Sequence, residues 1–220
     1  MSDLRPTISW LLLALVGVVG AGAAVLGVSQ APSNVPLAKA VANTLAARNY
    51  SQVLTESTPQ GKQADYLVYQ APDRLGGYVQ SGTKRTYVYV IGANEYQSLT
   101  VTPNTPTKSL VFYRQASQGA QALDPVRNYV HYATEAKHVT QSGSDYSFSL
   151  TQQGQVGKFV MTVSGKYIAQ VQLTVQGASI QLLVSQVGSS PPVALPAGAK
   201  IVAAPSGAAP SGSASSGAAG

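Results

Sequence analysis

Two histidines, His131 and His138, are the first residues to ask about, because imidazoles seven apart can ligate a metal or shuttle a proton. No cysteine exists in the chain, and no carboxylate cluster accompanies them at ligand spacing. They read as helix-end or surface histidines. The acids between residues 35 and 202 are Glu56, Asp65, Asp73, Glu95, Asp124, Glu135 and Asp145. A glycosidase needs two of these flanking one bond, and nothing in their spacing selects a pair. Asp73 and Asp124 adjoin prolines and read as turn and cap residues. Neither a Gly-x-Ser-x-Gly elbow nor a phosphate-cradling glycine loop is present. Arg74 could pair with an anionic headgroup, but its place beside Pro72 and Asp73 favours a turn-exposed arginine. The sequence therefore points away from catalysis, with no metal site and no cofactor.

Composition narrows the partners. The formal net charge is +6, but the fourteen Lys and Arg are scattered, so no basic stripe for nucleic acid exists. The charge suits a solvated surface or attraction to an anionic membrane face. The absence of cysteine removes disulfides, thiolate chemistry and a lipid-modified N-terminal cysteine.

Residues 8–28 form an uncharged apolar run of the length that crosses a bilayer. It is long for the core of a signal peptide, yet its small-residue second half is compatible with cleavage, so anchor and signal both remain open. Arg5 and the α-amine place residues 1–7 in the cytoplasm and the rest of the chain outside it. The expected location is the cell membrane with one pass, or secretion if the segment is removed. Residues 29–34 read as a spacer and 203–220 as a disordered Ala/Gly/Ser/Pro tail, leaving 35–202 as one folded domain.

That domain opens with a helix over 36–49, carrying Leu37, Val41 and Leu45 on one stripe. A second helix starts at Asp124 and Pro125, with Val126, Tyr129 and Val130 on one face. The rest reads as strands. Tyr146, Phe148 and Leu150 alternate with polar residues, as do Phe159, Met161 and Val163 in the next run. Tyr167, Ala169, Val171, Leu173 and Val175 continue the rhythm, followed by Ile180, Leu182 and Val184. Earlier strands are predicted near 50–57, 64–71, 75–81, 84–91, 95–101 and 107–115. There both faces carry large residues, with Tyr87, Tyr89 and Ile91 opposite Val88 and Val90.

About eleven strands and two helices make a mainly β, α+β domain built on one antiparallel sheet. Two short helices cover little of such a sheet. Either it closes on itself, or it curls around the helices and leaves an apolar hollow. In the second case the valine parity faces the helices and the tyrosine parity forms the other face or a rim. Each buried acyl CH₂ would contribute about 0.8 kcal/mol. Candidate lining residues are Leu37, Val41, Leu45, Val88, Val90, Phe148, Phe159, Met161, Val171 and Leu173.

The opening helix, the run from Tyr66 to Gly82, the run from Arg85 to Ser98 and the Pro-rich close at 184–202 together resemble the LolA-like lipoprotein-carrier fold and the mycobacterial LppX/LprG group. The resemblance implies a half-barrel of about eleven strands wrapped over helices, with a cavity for the acyl chains of a lipid. It transfers no individual ligand-contacting residue. Without a cysteine for a lipid anchor, residues 8–28 become the membrane tether, which favours a fixed station over a shuttle. Two expectations follow: a tethered, non-catalytic binding domain for a lipid or other apolar ligand, or a sensor module with a filled core that contacts an envelope protein.

Overall fold

The computed structural model describes residues 35–152 and 154–204. Residues 8–28 and 205–220, the expected membrane segment and most of the expected tail, lie outside these. Among the described residues no helix is long and apolar enough to cross a membrane.

Twelve strands form one sheet that curls without closing. Strands β1 (Asn49–Thr58), β2 (Gly61–Gln70), β3 (Arg74–Ser81), β4 (Lys84–Ile91), β5 (Asn94–Ser98) and β6 (Val111–Ala116) make one antiparallel meander. Strands β7 (Thr140–Ser142), β8 (Asp145–Gln152), β9 (Gln155–Ser164), β10 (Tyr167–Val175) and β11 (Ala178–Ser185) make a second. The two join where β1 pairs with β11. The last strand, β12 (Lys200–Ala203), lies parallel to β6, so the sheet is mixed and not purely antiparallel as its period-2 pattern predicts. The reason is the connection at 186–199, which crosses the sheet before β12 adds to its edge, a return no hairpin signal announces. It also places Ala203, read as tail, in a strand.

Helix α1 (Val35–Leu45) packs on β10 and on helix α2 (Pro125–His131), and α2 rests on β10 and β11. The α1 stripe buries Leu37, Ala40, Val41 and Thr44, while Leu45 sits at its edge. Thr44 is buried without cost because its Oγ1 donates to the Ala40 carbonyl at 2.7 Å and accepts from the Ile168 amide at 2.9 Å. That second bond reaches a bulge in β10, where the register slips between Ile168 and Gln170. A bulge adds one residue and flips parity. Ile168 is therefore buried in place of its predicted neighbours Tyr167 and Ala169.

The early strands are apolar on both faces because both faces are covered. Val90 turns into the helix-side core, whereas Tyr87, Leu110 and Phe112 form a second core on the convex side with Tyr78, Tyr89 and Tyr96. Loop 99–110 and the 186–199 strap cover this second core through Val101, Leu195 and Ala199. The loop includes a short 3₁₀ turn, Thr107–Ser109, where the sequence pattern reads as the start of a strand. The strap is pinned at Val193, whose amide donates to Gln70 Oε1 at 3.1 Å and whose carbonyl accepts from Arg74 Nη1 at 3.1 Å. Gly76 permits this crossing, since a Cβ there would stand 2.4 Å from the Tyr89 ring and 2.8 Å from Val193.

Candidate functional site

The concave face is built as rows of side chains running across the strands. One row reads Phe148, Phe159, Leu173, Ile180, Glu56 across β8, β9, β10, β11 and β1. The next reads Tyr146, Met161, Val171, Leu182, Leu54, Asp65, Val79, Thr86 across β8 to β11 and on through β1 to β4. Each apolar row thus meets one carboxylate, and the two carboxylates sit on neighbouring strands. A third row brings Val184, Gln52, Leu67, Gly77, Val88 and Gln97 together.

Helix α2 lies over these rows and is fixed at its start. Asp124 is fully buried and caps the helix by accepting from the Val126 amide at 3.1 Å. It also accepts from the Tyr50 hydroxyl and from Gln52 Nε2 at 3.0 Å, and Arg127 Nε stands 3.4 Å away. Gln52 Oε1 in turn accepts from the Val126 amide at 3.2 Å. Burial drives the Asp124 carboxyl upward from its ordinary value, and the bonds from Tyr50 and Gln52 together with Arg127 pull it back. The cap was legible in the sequence; its partners on β1, 72 and 74 residues away, were not.

The far end of the helical layer presents Tyr129 and Tyr132. Tyr132 tilts against Phe159 with ring centroids 5.3 Å apart, and Phe159 stacks on Phe148 at 5.0 Å. Here the concave face opens into a recess lined by Tyr132, Leu150, Gly157, Phe159, Leu173 and Val175, with Gln152 and Gln155 at its lip. Its enclosed space is about 10 Å³, room for about one water molecule. Pockets that enclose drug-sized ligands run from about 300 Å³, so the recess as it stands is only a shallow starting point. The recess exists because Gly157 has no side chain: a Cβ there would touch Leu173 at 3.1 Å and Phe159 at 3.3 Å.

Further along the same rows, on β1 and β2, lie Glu56 and Asp65, within electrostatic reach of Tyr129. Asp65 accepts from Gln63 Nε2 at 3.1 Å. Among the described residues neither carboxylate forms an ion pair. Burial raises the Glu56 carboxyl above its ordinary value. Burial, reinforced by the charge of Glu56, pushes Asp65 up to about 7. The Tyr129 hydroxyl is driven upward by burial and then by the fields of Glu56, Tyr132 and Asp65.

All ten residues read from the sequence as lining fall on this concave side. Leu37, Val41, Val90, Phe148, Phe159, Met161, Val171 and Leu173 belong to one core, Leu45 packs against it, and Val88 is half-buried beyond the helices. Only Phe159 and Leu173 among them reach the recess; the others bury against the chain's own side chains. Glu56, Asp65, Tyr129, Tyr132 and Gly157 escaped the sequence reading. Glu56 and Asp65 break the alternation in otherwise apolar rows, and that break was their signal. The histidines take no part: His131 Nε2 lies 3.8 Å from Glu135 Oε1 with both exposed, and no described group of His and acidic residues is arranged to hold a metal.

No family model and no curated protein matches the chain. Solved structures do. The crystal structure of LprF from Mycobacterium bovis superposes with a TM-score of 0.50 at 12% identity, over 74% of this chain and 95% of that one. The crystal structure of the Mycobacterium tuberculosis lipoprotein LppX gives a TM-score of 0.44 at 12% identity, over 74% of this chain and 100% of that one. The curled sheet with its concave helical layer is therefore the fold of LprF, as the sequence resemblance implied.

Proposed function

We propose that this is a non-catalytic, extracytoplasmic binding domain for an apolar ligand such as a lipid acyl chain, held at the membrane by residues 8–28. The observation that supports it is the mismatch between cover and surface. Five strands' worth of concave apolar rows are covered by two helices of 11 and 7 residues, and the cover leaves a narrow dip at Tyr132 and Gly157. In the described conformation the interior is filled, so a long ligand enters by displacing α2 and the Tyr129–Tyr132 edge, using the recess as its starting point. Phe159, Leu173 and Ile180 then exchange contacts with the chain's own helix for contacts with the guest. Such an exchange loses little burial, so ligand binding is energetically within reach.

The filled core favours a second reading, a tethered sensor module that binds an envelope protein and no small molecule. The convex row Leu183, Val53, Tyr66, Tyr78, exposed at Leu183 and Tyr66, offers a surface for it. Fluorescence titration with N-phenyl-1-naphthylamine, a neutral apolar probe, separates the readings. Saturable enhancement reversed by a long-chain fatty acid supports ligand binding. A flat titration leaves the sensor reading.

A further inference from the structure

The two ends of the sheet differ in charge. The turns β1–β2, β3–β4, β8–β9 and β10–β11 all lie at one end, because Ser57 pairs with Ser179, Gln63 with Ser81, and Thr174 with Lys158. The 99–110 loop and the start of β12 lie there too, since Ser98 pairs with Phe112 and Lys200 with Val111. In or beside these connections stand Lys62, Lys84, Arg85, Lys108, Lys158 and Lys200, and no connection among them holds an acid. The nearest acids, Glu56 and Asp65, belong to the concave rows. At the opposite end Arg48, Arg74 and Lys166 are offset by Asp73, Glu95 and Asp145. Five of the six cations are exposed. The sixth, Arg85, donates from Nε to Gln80 Oε1 at 2.9 Å and lies 4.4 Å over the Tyr78 ring. None of the six forms an ion pair among the described residues. Like charges gathered without counter-charges repel one another, and an anionic partner relieves that repulsion. Three large apolar residues stand exposed at the same end: Leu99 at 42%, Val156 at 52% and Ile201 at 47%. The lip of the recess, Gln152 and Gln155, flanks the β8–β9 turn there as well.

We propose that this end of the sheet is a docking face for an anionic phospholipid surface, with the six cations on lipid phosphates and Leu99, Val156 and Ile201 at headgroup level. The proposal rests on the ligand-binding reading, since it supplies the surface from which a guest enters the recess. A phospholipid surface offers both partners that this face lacks, phosphate for the cations and an acyl boundary for the apolar side chains. An anionic polysaccharide offers only the first. The spacer at 29–34 points the same way: six residues span at most about 20 Å, so a domain anchored through 8–28 stays within reach of the headgroups.

The chain has no cysteine, so Val156→Cys and, at the opposite end, Ser144→Cys each give one labelling site. The full chain carrying a polarity-sensitive fluorophore is reconstituted in vesicles of phosphatidylcholine, alone or mixed with phosphatidylglycerol. With phosphatidylglycerol, emission from position 156 should shift to the blue and become quenchable by doxyl-labelled acyl chains, while position 144 should report water in both vesicles. Lys62→Gln/Lys158→Gln should lower the ratio of docked to free domain about 25-fold, at about fivefold per cation. Arg48→Gln/Lys166→Gln, the same loss of net charge at the opposite end, should lower it by less than about twofold. Salt at about 1 M, where screening acts within about 3 Å, should release position 156. Equal unfolding midpoints of the two double variants verify that both are folded. Equal signals from position 156 in the two vesicles, an equal response at position 144, or equal losses in the two double variants would overturn the docking face. If the chain leaves phosphatidylcholine vesicles at high salt, residues 8–28 are no anchor. Flotation with phosphatidylglycerol vesicles at low salt, lost in Lys62→Gln/Lys158→Gln, then upholds docking, and no flotation overturns it. The N-phenyl-1-naphthylamine titration decides the ligand reading separately: docking without probe binding sinks that reading alone.

Discussion

Replacing Asp124 by Ala and, separately, by Asn measures how the helical layer is fastened to the sheet. Alanine removes the cap on the Val126 amide, worth about 1 kcal/mol in typical helices. It also strands the Tyr50 hydroxyl and Gln52 Nε2, both in fully or nearly fully buried side chains. A buried donor left without a partner costs about 1–3 kcal/mol. The sum is about 3–7 kcal/mol, a large part of the 5–15 kcal/mol typical of a folded domain. Asparagine can keep Oδ1 toward Val126 and Gln52 while its Nδ2 donates to the Tyr50 oxygen, and it sheds the desolvation of a buried charge. Its cost should be about 1 kcal/mol. Urea titrations of both variants, with m compared to wild type, give the numbers. Alanine costing under about 1 kcal/mol, or asparagine costing as much as alanine, would refute this account of the junction.

Three further outcomes follow from the same geometry. Because the folded Asp65 carboxyl is raised, the folded state holds more protons than the unfolded one between about pH 4 and about 7, so stability is highest below that window and falls as pH rises through it. The full shift would amount to about 4 kcal/mol, which partial exposure of Asp65 reduces to about 1–2; thermal melts across pH should show this loss in wild type and not in Asp65→Asn. Gly77→Ala should cost more than about 3 kcal/mol or prevent folding, because its Cβ would lie 1.9 Å from the Tyr66 carbonyl oxygen; circular dichroism and soluble yield report it. Leu150→Trp, at the half-buried edge of the recess, should weaken N-phenyl-1-naphthylamine binding about threefold to tenfold while changing stability by less than about 1 kcal/mol.

Much of the fold was written in local patterns. Asp124 and Pro125 announced α2, and the alternation in Tyr146–Phe148–Leu150 and in Ile180–Leu182–Val184 placed those strands with the right face inward. The split of Val90 from Tyr87 and Tyr89 was also legible, because parity is local. What parity cannot carry is a change of parity. The bulge at Ile168–Gln170 is sustained by Thr44, more than 120 residues earlier. Likewise, the tyrosine parity read as the other face or a rim; it is the other face, and its burial as a second core was not legible, because the strap at 186–199 that returns across it is held by Gln70 and Arg74. The candidate site suffered most. Glu56 and Asp65 are nine residues apart in sequence and come to one face of neighbouring strands only when β1 and β2 pair.

The central claim is that the helical layer is a displaceable cover over an apolar sheet whose natural occupant is a ligand. Native mass spectrometry of the full chain, extracted gently from the membranes of the cells that make it, tests this most directly. The account predicts a discrete added mass that extracts into organic solvent and rebinds to the stripped protein. A bare protein mass, from material that also leaves added long-chain lipid unbound at every pH, would contradict it.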